Sequence, residues 1–240
     1  MQVKACLNGA RDVSSHPRLS ADPALLAREA AAAVAAGAFA VHVHPKDAAG
    51  RDSLAADVVD RCLRAMRAAV DAPVGITTGA WTGDAATRLA AIRGWRELPD
   101  FASVNAHEPG AERVAALLLE RGVAVEAGIW EEAALRRWMR WPDRSACLRV
   151  LVEIQDDDAG AVEALARVLV DGARAAEPSM PVLLHGEERA TWPAIDLAIA
   201  WQLPTRAGLE DTLTLPDGSV AADSAALVRA VLERERRAPR

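Results

Sequence analysis

Two histidines separated by one residue, His42 and His44, stand in the segment GAFAVHVHPKDAAG at residues 37–50. Residues i and i+2 of a β-strand point to the same side, so both imidazoles can face one cavity and share one cation. Imidazole suits Zn²⁺, Fe and Ni, and a carboxylate as third ligand with an open coordination position makes a catalytic site. A pair of hydrogen-bonded core histidines is the alternative that this spacing leaves open.

A second ionisable group lies near the C-terminus, in TRAGLEDTLTLPDG at residues 205–218. Glu210 and Asp211 follow an apolar run, where two adjacent acids need solvent or a cation, although a helix N-cap or a loop acid is the simpler interpretation. Arg206 is expected to share a strand face with Glu210. An arginine that points into a core needs a carboxylate, so Arg206 should meet Asp211 or a substrate acid, or else form a structural salt bridge.

The rest of the chain alternates short β-like runs with Ala-, Leu- and Arg-rich helical patterns. Strands are predicted at residues 2–7, 39–44, 73–77, 101–105, 123–128, 148–154, 181–185 and 205–209, and helices near 22–36, 54–70, 84–95, 110–121, 130–140, 158–176, 188–202 and 222–236. Mostly apolar strands that each precede a helix are typical of a parallel sheet covered by helices.

Eight such units in 240 residues predict an α/β fold, a (β/α)₈ TIM barrel with one domain over residues 1–240. A doubly wound open sheet is the structural alternative. It usually carries a glycine fingerprint after its first strand, and NGARDVSSHP has a single glycine there, so neither a dinucleotide-binding motif nor a P-loop is present.

The active site of such a barrel lies at the C-terminal ends of its strands. Polar side chains concentrate at these predicted C-terminal ends, whereas the strand starts are mostly apolar. An active site requires such a gathering of polar groups at one end of the barrel, and a structural core does not. The residues in question are Asn8 and Arg11, His42 and His44, Thr77 and Thr78, Asn105, His107 and Glu108, Glu126, Glu153 and Gln155, His185 and Glu187, and Arg206, Glu210 and Asp211.

Several of these side chains have more than one interpretation. His185 is a third imidazole of the pocket, a substrate hydrogen-bonding group or a satisfied core histidine. Glu126 and Glu153 lie on or beside apolar strands, so each needs a polar partner. They are expected either to hold the residues that line the site or to form structural ion pairs. Glu108 is a loop acid or a substrate contact, and His16 is expected to be a structural loop residue.

Composition excludes several classes of function. The net charge is -6 with acids and bases interleaved, which argues against a nucleic-acid partner. No apolar run reaches the roughly 20 residues of a membrane span, and the N-terminus lacks the features of a signal peptide. The scattered cysteines Cys6, Cys62 and Cys147 indicate reduced core residues of a cytoplasmic protein.

The acid run 156–158 is interpreted as a helix start, because it lacks the spaced ligands of a calcium loop. The tryptophans are attributed to core or subunit packing.

Several segments together resemble one known family. NG, GAFAVHVHPKDAAGRDSL, TTGA, PDFASVN, VEAG, LLHGEE and TRAGLEDTLTLPDG, in this order, are similar to the β-keto acid cleavage enzymes, the family of 3-keto-5-aminohexanoate cleavage enzyme. The most specific elements are H-x-H-P-[RK]-D and the distant R-x-G-L-E-D. The resemblance implies a zinc (β/α)₈ barrel that acts as an acyltransferase or carbon–carbon lyase. The reaction implied by the resemblance is the condensation of a β-keto acid with acetyl-CoA, which gives acetoacetate and a new CoA ester.

The resemblance also implies roles for individual residues, and a homo-oligomer, either dimer or tetramer. A strand-three hydroxyl, Thr77 or Thr78, would take part in acyl transfer. The implied zinc ligands are His42, His44 and Glu210, and Arg206 with Asp211 would form the catalytic dyad.

The chain departs from the family pattern after the first strand, where Arg11 stands in a region that often carries an acid. An arginine there is interpreted as a group for an anionic part of the substrate. Lys46 and Ala80 are milder departures. The predicted substrate-binding set is Arg11, Asn105, Glu108 and His185.

Two other functions are alternatives to this one. A zinc hydrolase of the amidohydrolase type would place H-x-H on strand one and further histidines after strands five and six, where this chain carries Glu126 and Glu153. A non-catalytic barrel that binds a metal or ligand without turnover is the third hypothesis.

Overall fold

The computed structural model describes residues 1–155 and 159–238. Its strands are β1 (Val3–Cys6), β2 (Ala40–Val43), β3 (Val74–Thr77), β4 (Phe101–Asn105), β5 (Ala124–Ile129), β6 (Arg149–Ile154), β7 (Val182–Gly186) and β8 (Thr205–Ala207). Its helices are α1 (Pro23–Ala35), α2 (Ala56–Ala69), α3 (Ala85–Gly94), α4 (Ala111–Glu120), α5 (Glu132–Trp138), α6 (Ala159–Ala176), α7 (Thr191–Ala200) and α8 (Ser224–Arg237). The acid run 156–158 lies outside the described residues.

The strands form one parallel sheet in the order β7-β6-β5-β4-β3-β2-β1-β8. The sheet curls until its two edge strands approach each other. There the backbone N–H of Leu184 donates to the carbonyl of Pro204 across 3.1 Å, and the Thr205 hydroxyl donates to the Leu184 carbonyl across 2.7 Å. This nearly closed barrel with alternating helices confirms the predicted (β/α)₈ fold.

Side-chain caps start three of the helices. Asp22, Asp84 and Asp223 each accept a hydrogen bond from a backbone N–H in the first turn of α1, α3 and α8. A cap of this kind satisfies one of the N–H groups that a helix leaves without an internal partner. Glycines with positive φ, Gly37 and Gly122, follow α1 and α4 and turn the chain into the next strand.

Charged side chains fill the lower part of the barrel interior. Lys4 on β1 forms a fully buried ion pair with Glu126 on β5, and Arg149 on β6 lies 3.0 Å from the same carboxylate. The Lys4 ammonium also lies 5.4 Å from the ring centroid of Phe101. Glu126 is therefore part of a structural ion cluster, one of the two interpretations that the sequence allowed.

The last strand is shorter than predicted. β8 ends at Ala207, and Glu210 lies in the turn that follows, so the expectation that Glu210 shares a strand face with Arg206 is wrong. Gly208 passes so close to β1 that an added Cβ would lie 1.8 Å from the carbonyl oxygen of Cys6. The turn then docks on β1, where the Glu210 N–H donates to that same carbonyl across 3.2 Å.

Within the described part of the chain, no helix combines the length and the apolar character that crossing a membrane would require. His16 is buried, and its Nε2 lies 2.9 Å from the carbonyl of Ala221, which fits the predicted structural role.

Candidate active site

A cavity of about 360 Å³ opens at the C-terminal ends of the strands. Its lining residues are Ala10, Arg11, His42, His44, Thr77, Trp81, Ser103, Asn105, Trp130, Leu151, Glu153, Gln155, Glu187, Glu188, Arg206 and Glu210. A larger cavity of about 970 Å³ lies between α7 and α8, but none of the predicted site residues lines it. The candidate active site is therefore the cavity at the barrel mouth, where this fold carries its active sites.

Two imidazoles and one carboxylate converge at the floor of this cavity. His42 Nε2 lies 3.9 Å from Glu210 Oε2, and His44 Nε2 lies 3.6 Å from Glu210 Oε1. One ligand atom from each residue falls within a group whose members are at most 4.8 Å apart. The side-chain amide of Asn8, just after β1, makes two 2.9 Å hydrogen bonds to the backbone of His44, just after β2, and so ties the ends of the two strands together.

The donor set fits a divalent cation. Glu210 Oε2 is buried and has no hydrogen-bond partner among the described residues, which is costly for a carboxylate unless a cation is bound. Burial raises the pKa of Glu210, but Arg206 and the two imidazoles outweigh it and hold the pKa well below its usual range. Burial lowers the pKa of His42 well below its usual value, so this imidazole is neutral, as a ligand must be.

His44 has the opposite balance. Burial lowers its pKa, but the carboxylates of Glu210 and Asp52 together raise it to about 9. A cation that binds Nε2 must therefore displace a proton that the two carboxylates hold on this ring.

Beside this group, Arg206 and Asp211 form a buried pair. Arg206 Nε and a terminal nitrogen lie 2.9 and 2.7 Å from Asp211 Oδ1, and the guanidinium also lies 3.1 Å from Glu210. Arg206 lines the cavity, whereas Asp211 is fully buried behind it. Burial raises the pKa of Asp211 to about 7, although Arg206 acts in the opposite direction.

The structure separates the two candidate hydroxyls. Thr77 lines the cavity, and its hydroxyl oxygen accepts the backbone N–H of Gly79 across 3.2 Å. Thr78 is fully buried, and its hydroxyl donates to the carbonyl of Ser103 across 2.7 Å.

The four predicted substrate-binding residues occupy different positions. Arg11 and Asn105 line the cavity. Glu108 lies behind Asn105, accepts its amide across 3.0 Å, and forms a buried ion pair with Arg88 at 2.7 Å. His185 is fully buried and does not line the cavity.

His185 lies behind the cavity wall, between the cavity-lining Glu153 and the buried Asp211. Its Nε2 is 3.4 Å from Glu153 Oε2 and its Nδ1 is 3.8 Å from Asp211 Oδ1. Burial, reinforced by Arg206, lowers the pKa of His185 well below its usual value. Burial, reinforced by Glu187, raises the pKa of Glu153 well above its usual value. Burial thus disfavours the charged form of both the His185 imidazole and the Glu153 carboxyl, which lie side by side.

Arg11 connects the cavity wall to the metal-site candidate. Its Nε donates to the backbone carbonyl of Glu210 across 3.0 Å, and a terminal nitrogen pairs with Glu188 at 2.5 Å. Glu188 is solvent-exposed, with a side-chain exposure of 58 % and a φ of 49°. A positive φ is unfavourable for a residue with a Cβ, so the Arg11 contact accompanies a strained backbone.

Sequence reasoning missed three residues at this site. Asp52 contacts His44, and the tryptophans Trp81 and Trp130 line the cavity. The rings of Trp81 and His44 are stacked with their centroids 5.9 Å apart. Trp81 follows the TTGA segment directly, and that position was the available signal.

The fold and the cavity together define a (β/α)₈-barrel protein whose candidate metal centre lies where barrel enzymes carry out their chemistry. Comparison with known families is more specific. The chain belongs to the β-keto acid cleavage enzyme family, which it matches over residues 1–239. No curated protein matches the sequence significantly.

Solved structures share the barrel at low sequence identity. ObcA in a ternary complex with a C4-CoA adduct and oxalate superposes with a TM-score of 0.76 at 18 % identity, covering 91 % of this chain and 64 % of that chain. ObcA in a binary complex with oxaloacetate superposes with a TM-score of 0.73 at 17 % sequence identity, covering 91 % of this chain and 63 % of that chain. A type I 3-dehydroquinate dehydratase from Clostridium difficile superposes with a TM-score of 0.63 at 10 % sequence identity, covering 99 % of this chain and 93 % of that chain. This chain thus spans less than two thirds of ObcA, and these likenesses establish the fold alone.

Proposed function

We propose that this protein is a zinc-dependent β-keto acid cleavage enzyme that uses acetyl-CoA as co-substrate. The bond between the keto carbon and the CH₂–carboxylate breaks, and the acyl group is transferred to the sulfur of CoA. The CH₂–carboxylate joins the acetyl carbon, so the products are acetoacetate and a new CoA ester. The observation that carries the proposal is the convergence of His42, His44 and Glu210 beside the Arg206–Asp211 pair, in a chain of this family.

Ligands of a structural relative agree with this chemistry. Oxaloacetate is itself a β-keto acid, and ObcA has been captured both with oxaloacetate and with a C4-CoA adduct. A barrel of the same fold thus accommodates both kinds of molecule that the proposed reaction needs.

Zinc is proposed because the donor set is two imidazoles and one carboxylate, a common set for catalytic zinc. When bound between His42, His44 and Glu210, the ion would supply Lewis-acid polarisation of the substrate keto oxygen. The three ligands are held close to the sheet: His42 is on β2, His44 directly follows it, and Glu210 is on a turn that docks on β1.

Arg206 is proposed to stabilise negative charge on the substrate, and Asp211 is proposed to accept a proton. Arg206 presents its guanidinium to the cavity, where it can stabilise negative charge that develops on the substrate. Asp211 is the proposed proton acceptor: it would take a proton from the CH₂ between the keto and carboxylate groups, so that this carbon can attack the acetyl carbonyl of acetyl-CoA. Its Oδ1 is held by Arg206, and its Oδ2 has no hydrogen-bond partner among the described residues.

Thr77 is proposed as the hydroxyl that accepts or orients the acyl group, since it lines the cavity while the Thr78 hydroxyl is held by the Ser103 carbonyl. Arg11 and Asn105 are proposed to contact the substrate directly.

The two remaining members of the predicted substrate-binding set are proposed to act from behind the cavity. Glu108 holds the amide of Asn105, and His185 lies against the carboxylates of Glu153 and Asp211.

A homo-oligomer, dimer or tetramer, is part of the proposal. It rests on the resemblance to the family, and large apolar side chains available for such contacts are exposed on the single chain at Leu25, Met139, Val168 and Val220. Light scattering at micromolar concentration should give a multiple of the 25.4 kDa chain mass. A monomer would remove this part of the proposal.

The proposed reaction is tested by isotope labelling. Zinc-loaded protein is incubated with a panel of β-keto acids and acetyl-CoA that carries ¹³C in the acetyl group, and the products are analysed by mass spectrometry. The expected result is ¹³C in acetoacetate and an unlabelled new CoA ester. Labelled acetate without a new CoA ester would indicate a hydrolase instead, and no turnover with any keto acid would favour a non-catalytic barrel.

A further inference from the structure

The segment after β2 folds back on itself in a short hairpin. Lys46 and Asp52 form an isolated antiparallel bridge, and Gly50 takes a φ of 77° in the turn between them. The carboxylate of Asp47 accepts two backbone N–H groups inside the turn, at 2.9 and 3.0 Å. The hairpin returns the chain to the end of β2, so that Asp52 lies against the ring of His44.

The carboxylate of Asp52 receives three donors. Its Oδ2 lies 2.6 Å from His44 Nδ1 and accepts the indole N–H of Trp81 across 2.8 Å. Its Oδ1 accepts the ammonium of Lys46 across 2.5 Å. The Asp52 side chain is only 4 % exposed, so these bonds are made away from bulk water.

These contacts determine which nitrogen of His44 faces the cavity. With Nδ1 directed at Asp52, Nε2 is left facing Glu210 at 3.6 Å. The indole of Trp81 covers one face of the imidazole at an interplanar angle of 15°, which restricts rotation of the ring. His42 has no comparable support, because its Nδ1 has no hydrogen-bond partner among the described residues.

We infer that Asp52 is a positioning residue for the metal site, and that the hairpin of residues 46–52 serves to place it. Asp52 keeps the proton of His44 on Nδ1 and presents Nε2 to the cation. This inference rests on the proposed function, because it needs a metal at the site. Partners of this kind orient a ligating imidazole and strengthen its donation to the metal, and their loss weakens metal binding by about 10- to 100-fold.

The test is the zinc dissociation constant, measured by competition with a chromogenic chelator. Asp52→Asn removes the carboxylate but leaves the buried Lys46 unpaired, which can itself disturb the fold. A second comparison avoids this problem: the double variant Lys46→Met, Asp52→Asn is set against Lys46→Met alone. We expect zinc to bind about 10- to 100-fold more weakly whenever Asp52 is replaced, and Lys46→Met alone to stay close to the wild type.

A spectroscopic readout distinguishes positioning from general destabilisation. In zinc-loaded wild type labelled with ¹⁵N-histidine, the Nδ1–H of His44 should give a slowly exchanging signal, assigned by its absence from a His44→Gln variant. Its exchange with water should be faster in both Asp52 variants. Trp81→Phe, which retains a ring against His44, should preserve the signal.

The outcomes separate this inference from the proposed function. If the wild type binds zinc and both Asp52 variants have unchanged zinc affinity and unchanged Nδ1–H exchange, the role of Asp52 is overturned. The proposed function is then unaffected. Wild type that binds no zinc overturns the proposed metal site, and the role of Asp52 with it.

Discussion

Arg206 binds Asp211 through a single carboxylate oxygen: two guanidinium nitrogens lie 2.9 and 2.7 Å from Oδ1, while Oδ2 has no hydrogen-bond partner among the described residues. The arginine thereby orients the carboxylate and leaves the other oxygen for a proton. Because burial raises the pKa of Asp211 to about 7, the neighbouring Arg206 does not abolish its basicity.

Replacement of Asp211 by Asn is expected to separate catalysis from metal binding. The variant keeps the size of the side chain but cannot accept a proton, so turnover should fall by about 10²- to 10⁴-fold. Metal content should stay at the wild-type value, because Asp211 is not one of the three candidate ligands. The checks are kcat in the labelled-product assay and elemental analysis of the same sample. Full activity in this variant would remove Asp211 from the mechanism.

Replacement of Glu210 by Gln is expected to remove metal and activity together, because the amide carries no charge to hold the cation. The control is Glu132→Gln, an exposed acid at the start of α5 that pairs only with Arg136 among the described residues. Metal content and product formation are measured in both variants. A Glu210→Gln protein with a full complement of metal would exclude this carboxylate as a ligand.

The two threonines after β3 should respond differently to Val. Thr77→Val removes a hydroxyl at the cavity and should lower kcat with little effect on stability. Thr78→Val removes the 2.7 Å bond to the Ser103 carbonyl and should lower the free energy of unfolding by about 1 kcal/mol. Denaturant titration and steady-state kinetics on both variants check this. The reverse pattern would transfer the proposed acyl-transfer role to Thr78.

The described cysteines should be unreactive in the folded protein. Burial raises the pKa of Cys62 to about 12 and that of Cys147 to about 11, so both remain protonated thiols at neutral pH. In the unfolded chain the pKa returns to about 8.5, and the thiolate fraction rises. A chromogenic thiol reagent should therefore react with them in denaturant and not in native buffer. Rapid native labelling of either residue would show that the barrel opens locally.

Periodicity was sufficient to predict the barrel and part of its site. Alternation of apolar strands with helices predicted all eight units, because in a parallel barrel each strand is buried on both sides. The two-residue repeat also predicted that His42 and His44 point to the same side, and both imidazoles face Glu210 although His44 lies one residue beyond the end of β2. Arg206 was expected to meet a carboxylate, either Asp211 or a substrate acid, because an interior arginine requires one, and in the structure it pairs with Asp211.

What periodicity could not provide is the path of the loops. Asp52 reaches His44 through the hairpin of residues 46–52, and Trp81 reaches it from the turn after β3. Neither contact follows from the two-residue repeat of a strand or the 3.6-residue repeat of a helix. Glu210 was placed on the strand itself for the same reason, whereas the close approach of Gly208 to Cys6 had already ended β8.

The most direct test of the account is elemental analysis of the purified protein beside a double variant, His42→Ala with His44→Ala. We predict about one zinc per chain in the wild type and none in the variant, because the variant retains only one of the three candidate ligands. Absence of metal from both proteins, even after zinc is supplied, would contradict the account. It would make the two histidines structural and remove the basis for the proposed chemistry.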